Sequence, residues 1–392
     1  MCLSKYSNDI LDGMNKRIVY VVGDLSYPNG MSRVLSQKVN YLAEHTDFEM
    51  YVVLTENASM PHYYELSQKV RYVNFDINFE VIQTMPLYLK IWSYYWKTRQ
   101  YNRLLTNYLT QVQPDITVSV LRREINFIND IQDGSKKIGE IHFNRKCYRV
   151  FNKSFLPSFV NKFITNQWKK SLDKQVSRLD RFVVLTNEDA RNWKGFNNLS
   201  VIPNPIIKFP DVVSDCTRKH VIAVGRYTWQ KGFDMLISAW KSVYERHPDW
   251  VLDIYGAGDP TAFRVQAERD GVSSVVCCHE AVADIYDRYA ESSLFVLSSR
   301  YEGFGLVIIE AMATGLPVVS FHCPCGPEDI ISNGEDGILV ENGNIDKLAE
   351  AISYLIENVD IRKQYGLTGR NNARRYQEDG IMRKWIELFN NC

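Results

Sequence analysis

The sequence predicts an α/β chain built from two doubly wound parallel-sheet domains, and three observations predict it. At 392 residues the chain exceeds the size at which one hydrophobic core usually keeps growing. Short β-rich apolar runs alternate with segments of helical period, as right-handed βαβ units require. That pattern pauses at the proline-bearing stretch VIPNPIIKFPDVVSD (201–215) and then restarts. The domains are therefore expected over 1–208 and 209–375, with a last helical piece, 376–392, rejoining the first.

The first series opens with KRIVYVVGDL (16–25), a strand ending in Gly-Asp. A loop at Pro28-Asn29-Gly30 follows, then a helix carrying Val34, Leu35, Val39 and Leu42 on one face. FEMYVVLT (48–55), VRYVNF (70–75), PDITVSV (114–120), KKIGEIHF (136–143) and RFVVLTN (181–187) continue the strands. The second series begins at HVIAVGRY (220–227) and a helix with Phe233, Leu236, Ile237, Trp240 and Tyr244 on one face. WVLDIYGAG (250–258), SSVVCCH (273–279), SLFVLSS (293–299) and LPVVSF (316–321) supply its other strands. IDKLAEAISYLIEN (345–358) reads as an amphipathic helix and MRKWIELFNN as a final one. Ligands of such sheets sit outside the carboxyl ends of the strands, so chemistry is expected in a cleft that the two domains face across.

A formal net charge of zero conceals an asymmetry. Residues 1–210 hold 28 Lys and Arg against 19 Asp and Glu, and residues 211–392 hold 18 against 27. The first half should meet something anionic. No apolar run approaches the roughly 20 residues that cross a bilayer, and the first residues lack a signal-peptide apolar core. Eight scattered cysteines do not form a disulfide framework, so a reduced cytoplasmic protein is expected. Cys323-Pro-Cys325 beside His322, and Cys277-Cys278-His279, are spaced too tightly for the usual zinc knuckle, and no metal site is expected.

Three constellations carry chemistry. Arg226 and Lys231 fall in the turn between the strand ending at Gly225 and the next helix. Two cations beside a helix N-terminus suit a diphosphate, which needs charge neutralisation and no proton transfer. A solvated strand–helix loop is the equally open alternative. The run lacks GxxxxGK[ST], and the first turn VVGDLSYPNGMSRV lacks GxGxxG, which argues against a nicotinamide dehydrogenase. In SSRYEGFGLVIIEAMATG (298–315), Gly303, Phe304 and Gly305 sit where a helix N-terminus presents amides to phosphate oxygens. Glu310 lies among apolar residues, costly unless hydrogen-bonded, and a ribose diol would satisfy it. A buried salt bridge for Glu310 and a loop or capping acid for Glu302 stand as the other readings. His142, at the end of KKIGEIHF, is on the ligand side of the first sheet, where a lone histidine is also an ordinary structural residue.

Glu302 and Glu310, with seven residues between them in YEGFGLVIIEAMATGLPVV, resemble the E-x7-E signature of glycosyltransferase family four, retaining enzymes of GT-B fold. VGRYTWQKGFDMLISAW, VIPNPI, LDIYGAGD and GEDGILVE resemble its other recurring blocks, densely from about residue 180 to 375. The resemblance implies two Rossmann-like domains and transfer of a hexose from a nucleotide diphosphate sugar, in related enzymes often UDP-linked, to a sugar hydroxyl. It implies that Arg226 and Lys231 hold the donor diphosphate with the amides of Gly303, Phe304 and Gly305. Glu310 would hold the ribose, Glu302 the donor sugar, and His142 would lie near the transferred sugar. Gly30 corresponds to a glycine-rich first loop. No metal or other cofactor is implied. FHCPCGPEDIISNGEDG resembles relatives that build bacterial surface polysaccharides and glycoconjugates.

The acceptor is expected to be a glycan or a polyprenyl-diphosphate-linked oligosaccharide. Residues 87–109 are strongly aromatic, and 145–178 carry nine Lys and Arg against one acidic residue. Such segments suit the anionic cytoplasmic face of an inner membrane, or a solvated face over an aromatic core. No nucleic-acid-binding motif accompanies them. The competing functions are a sugar-nucleotide epimerase of the same fold and a non-catalytic subunit that binds a nucleotide sugar.

Overall fold

In the computed structural model, residues 15–148 and 157–392 are described. Residues 149–156, inside the basic segment 145–178, and residues 1–14 lie outside that description. The elements run β1 (Arg17–Val21), α1 (Gly30–His45), β2 (Glu49–Leu54), β3 (Arg71–Asn74), α2 (Leu87–Val112), β4 (Ile116–Ser119), β5 (Lys136–Glu140), α3 (Ser158–Val176), β6 (Arg181–Val184), α4 (Asn187–Asn192) and β7 (Leu199–Val201). They continue with β8 (His220–Val224), α5 (Phe233–Arg246), β9 (Val251–Gly256), α6 (Thr261–Arg269), β10 (Val276–Glu280), α7 (Tyr286–Ala290), β11 (Leu294–Leu297) and α8 (Leu306–Ala313). The last are β12 (Val318–Phe321), α9 (Pro327–Ile330), β13 (Gly337–Val340), α10 (Ile345–Glu357), α11 (Val359–Ala373) and α12 (Glu378–Asn390).

Two sheets result. One has seven strands in the order β3-β2-β1-β4-β5-β6-β7, the other six in the order β10-β9-β8-β11-β12-β13. All five pairings of the second sheet are parallel. The chain divides into two compact units: Met1–Glu140 with Lys170–Phe182 and Met382–Cys392, and Ile141–Lys169 with Val183–Ile381. Residues 141–169 and 183–208 thus group with the second unit, and most of α12 groups with the first.

In the first unit Ile18, Val19, Tyr20 and Val21 of β1 are fully buried, as a central parallel strand covered on both faces must be. Trp385 and Phe389 of α12 are buried there too, and Lys16 donates to the Phe389 carbonyl at 2.7 Å. Lys38 of α1 and Glu140 of β5 form an ion pair with exposures of 1% and 0%, and the ammonium lies 3.7 Å from the centre of the Trp385 ring. Burial holds the Lys38 pKa below the ordinary lysine value, against the pull of the Glu140 carboxylate.

The second unit's core lines α5 (Leu236, Ile237, Trp240, Val243) and α10 (Leu348, Ile352, Leu355) against the buried strands. Removing such side chains from water stabilises by roughly 1.5–3 kcal/mol each. Two elements, β13 and α11, are not among those expected from the sequence. β13 begins with a glycine directly after a Gly-Glu-Asp turn, which reads as a loop. α11 contains Gly366 and Gly369, which read as breakers. Here Gly366 permits close packing, since a Cβ at that position would stand 2.2 Å from the Gly315 carbonyl oxygen.

Candidate functional site

The second sheet reverses its strand order between β8 and β11. An α/β sheet opens a crevice outside the carboxyl ends at such a point. The loops leaving these two strands are 225–232 and 298–305, the two stretches singled out from sequence. They are stitched together. The Arg300 amide donates to the Gln230 carbonyl at 2.8 Å. Gln230 Nε2 donates to the Tyr301 carbonyl at 3.0 Å, and Ser298 Oγ to the Lys231 carbonyl at 2.9 Å. Arg300 grips both carboxylate oxygens of Asp234 at 2.8 and 2.6 Å and packs over the Trp229 ring at 4.5 Å. A bidentate Arg–carboxylate pair sets orientation as well as energy.

Two glycines shape the first loop. Gly225 leaves room for the Lys231 stem, whose Cδ would lie 2.9 Å from a Cβ at 225. Gly232 has φ +63° and a Cβ there would meet the Ser298 carbonyl oxygen at 2.1 Å, so only glycine fits. Lys231 is thereby aimed at the second loop. Its Nζ donates to Glu302 Oε1 at 2.7 Å, and Ser299 Oγ donates to the same oxygen at 2.6 Å. Side-chain exposures are 13% for Lys231 and 8% for Glu302. Arg226 is exposed and has no ion-pair partner among the described residues. It lies close enough to Tyr301 to oppose the rise that burial gives that phenol's pKa.

The Glu302 amide donates to the Pro324 carbonyl at 2.9 Å. Cys323, next to that proline, is buried, and burial pushes its thiol up with Glu302 as a further cause. Gly303 packs on the chain at His142: a Cβ on it would stand 2.4 Å from the His142 carbonyl oxygen. Gly305 has φ +97° and forms the N-cap of α8, which no side chain caps. The first-turn amides of α8 therefore open beside Gly303 and Gly305, carrying the positive end of the helix dipole. Glu310 sits one turn further along α8, 4% exposed between buried Ile309 and Ala311.

The second unit thus assembles Arg226, Lys231, Glu302, Gly303, Gly305, Glu310 and the backbone of His142 around one switch point. Phe304 joins through its main chain alone, because its ring is 4% exposed and packs edge-on against Tyr376 at 5.7 Å. His142 lies two residues beyond β5 rather than on it. Gly30 is the first residue of α1 in the first unit, behind Asn29, whose side chain accepts from the Ser32 amide at 2.9 Å. Sequence reasoning missed Ser299 and the Arg300–Asp234 clamp. The signal for Ser299 was present, a hydroxyl three residues before a loop carboxylate.

The arrangement offers an exposed cation, a second cation held by a carboxylate, uncapped helix amides and a deeper carboxylate. That set suits a ligand with a diphosphate between two hydroxyl-bearing groups.

Residues 218–358 match a family profile described as glycosyl transferases group 1. An uncharacterized glycosyltransferase of Haemophilus influenzae is 30% identical over 230 residues, 57% of this chain and 65% of that protein. The poly(ribitol-phosphate) alpha-N-acetylglucosaminyltransferase of Staphylococcus aureus is 26% identical over 263 residues, 64% of this chain and 52% of that protein. The matches thus span less than two thirds of these relatives' own length. Among solved structures, a point mutant of S. aureus TarM in complex with Fondaparinux, alpha-GlcNAc-glycerol and UDP superposes with a TM-score of 0.75 at 17% identity, covering 96% of this chain and 100% of that one.

Proposed function

We propose, from the match of residues 218–358 to glycosyl transferases group 1 in a chain of GT-B fold, that the protein is a retaining glycosyltransferase. It moves a hexose from a nucleotide diphosphate sugar, UDP-linked, to a hydroxyl of a bacterial glycan or lipid-linked oligosaccharide. One observation carries this reading: the Lys231–Glu302 pair stands beside the uncapped N-terminus of α8 at the switch point, with Glu310 one turn deeper.

Arg226, Lys231 and the α8 amides stabilise the departing diphosphate electrostatically, an effect that usually lowers such a barrier more than any other. The charge that develops on the leaving group draws Lys231, while Glu302 accepts from hydroxyls of the donor sugar. Glu310 binds the ribose diol. No protein nucleophile is assigned, and the diphosphate takes the acceptor proton as the new bond forms. The poly(ribitol-phosphate) relative forms an alpha linkage by its name, and an alpha product from an alpha-linked UDP-sugar is retention. UDP in the TarM complex supports the choice of base.

The site reading is tested by thermal shift against UDP, GDP and dTDP sugars, followed by product NMR with the stabilising donor. A bound ligand raises the melting temperature, and an alpha-anomeric product is expected. Epimerised nucleotide sugar in place of transfer would replace this reading with a sugar-nucleotide epimerase.

We further infer peripheral attachment to an anionic membrane through α2. Tyr88, Ile91, Trp92, Tyr95 and Trp96 recur at helical spacing and are all exposed. Lys90, Lys97, Arg99 and Arg103 lie on the same helix. Aromatic bodies with basic neighbours suit the headgroup region. Among the described residues no helix is long and apolar enough to cross a membrane. Flotation with phosphatidylglycerol vesicles is expected, lost in the Trp92→Ala/Trp96→Ala double variant. Equal binding to zwitterionic vesicles, or none, counts against it.

A further inference from the structure

Away from the switch point, four residues that can ligate metals meet on the edge of the second sheet. Cys277 and His279 are two apart on β10 and so share one face of that edge strand. Asp253 on β9 is the register partner of Cys277, which brings its carboxylate to the same face. The sulfur of Cys277, a ring nitrogen of His279 and an oxygen of Asp253 all lie within 4.8 Å of one another. His279 Nε2 is 2.7 Å from Asp253 Oδ1. His220 of β8 holds the other oxygen, with Nδ1 at 2.7 Å from Oδ2. The Tyr255 ring stacks on His279 at 4.4 Å and 16°, fixing the imidazole plane.

We propose that Cys277, His279 and Asp253 bind one divalent cation of zinc type, with a solvent molecule as the fourth ligand. Thiolate, imidazole and carboxylate are the donor set of a tetrahedral site with bonds of about 2.0–2.3 Å. Ligands of a tetrahedral site with such bonds stand about 3.3–3.8 Å apart, so a set already within 4.8 Å needs only a small contraction to close on one ion. The cation takes the place of the proton between His279 Nε2 and Asp253 Oδ1, the ring binding neutral and protonated at Nδ1. The thiol proton of Cys277 passes to solvent. His220 is the outer-shell partner that orients the carboxylate, as metal-bound groups require. The bound cation clips edge strand β10 to β9. Among the described residues, Cys323 and Cys325 join no comparable group. The short Cys-Cys-His spacing concealed the site because its third ligand comes from a neighbouring strand.

The test is titration of the chelator-stripped full chain with Co²⁺. One equivalent should bind, with near-ultraviolet thiolate–cobalt absorption and the visible bands of tetrahedral cobalt. Cys277→Ser should abolish the thiolate absorption, and Cys278→Ala should leave it intact. His220→Ala should weaken binding by about 10–100-fold. Absence of thiolate absorption in the unmutated chain, or its survival in Cys277→Ser, overturns the proposal. The first of those outcomes needs no variant to fold.

Discussion

Two Lys–Glu pairs, one in each unit, use the same groups to opposite ends. Lys38–Glu140 is sealed, at 1% and 0% exposure, beneath the Trp385 ring. Lys231–Glu302 stands in loops where glycines at 225, 232 and 303 keep the close approaches clear, at 13% and 8% exposure. An aromatic lid makes the first pair part of the core, since nothing outside the protein can compete for it. The second shares one carboxylate oxygen with Ser299 and sits beside uncapped helix amides. A diphosphate brought there competes for the ammonium and a sugar for the carboxylate. Neighbours, rather than the pair itself, decide whether an ion pair holds a fold or waits for a ligand.

The largest effects should separate the pairs cleanly. Glu302→Gln and Lys231→Ala are each expected to lower turnover by about 10²–10³-fold, the cost of losing one electrostatic stabiliser. The circular dichroism of both should remain that of the parent. Near-normal turnover in both would remove the pair from the reaction. Lys38→Ala should do the reverse. Uncovering a buried charge costs about 3–5 kcal/mol, read from the urea midpoint. The Lys38→Met/Glu140→Leu double variant should recover most of that loss, because apolar groups of similar volume replace buried pairs well. A double variant as unstable as the single would show that the pair contributes more than its own charge balance.

Gly303→Ala tests the space around the functional pair. Its methyl group would stand 2.4 Å from the His142 carbonyl oxygen, so the loop must shift. A loss of about 1–3 kcal/mol is expected, with turnover falling because the neighbouring Glu302 moves too. Gly380→Ala is the control, having nothing within 4 Å of the added carbon. Stability there should hold or rise by about 0.5–1 kcal/mol.

The contrast also shows what a sequence exposes. The parallel strands were legible because strands buried on both faces read as apolar runs; β8 and β11 announce themselves. β13 and α11 were not, because their glycines serve close packing and look like punctuation. Lys231 and Glu302 are 71 residues apart, beyond any periodicity; resemblance to a family placed both at one ligand, and the structure made them a pair. Asp234 carries no such mark, and Ser299 only its place three residues before Glu302. Asp253 with Cys277 and His279 depends on strand register, which a linear reading does not supply.

The smallest expected effect concerns the clamp that holds the functional loops together. Arg300, donating to both oxygens of Asp234, holds that carboxyl below its ordinary range despite partial burial. A carboxylate with a depressed pKa in the folded state stabilises above its unfolded value, about 3.9, and loses that contribution as pH falls through the folded value. Asp234 is 42% exposed, so solvent screening keeps the contribution below about 1 kcal/mol. The difference in urea midpoint between the parent and Asp234→Asn should therefore be constant from about pH 7 to 5 and close below about pH 4. It should also shrink in high salt, as an exposed pair must. The Lys38–Glu140 pair, shut from solvent, should show no such salt dependence. A salt-insensitive gap that does not narrow at all as pH falls from about 5 to 3 would mean that Asp234 acts through its shape and position at the start of α5 rather than through its charge.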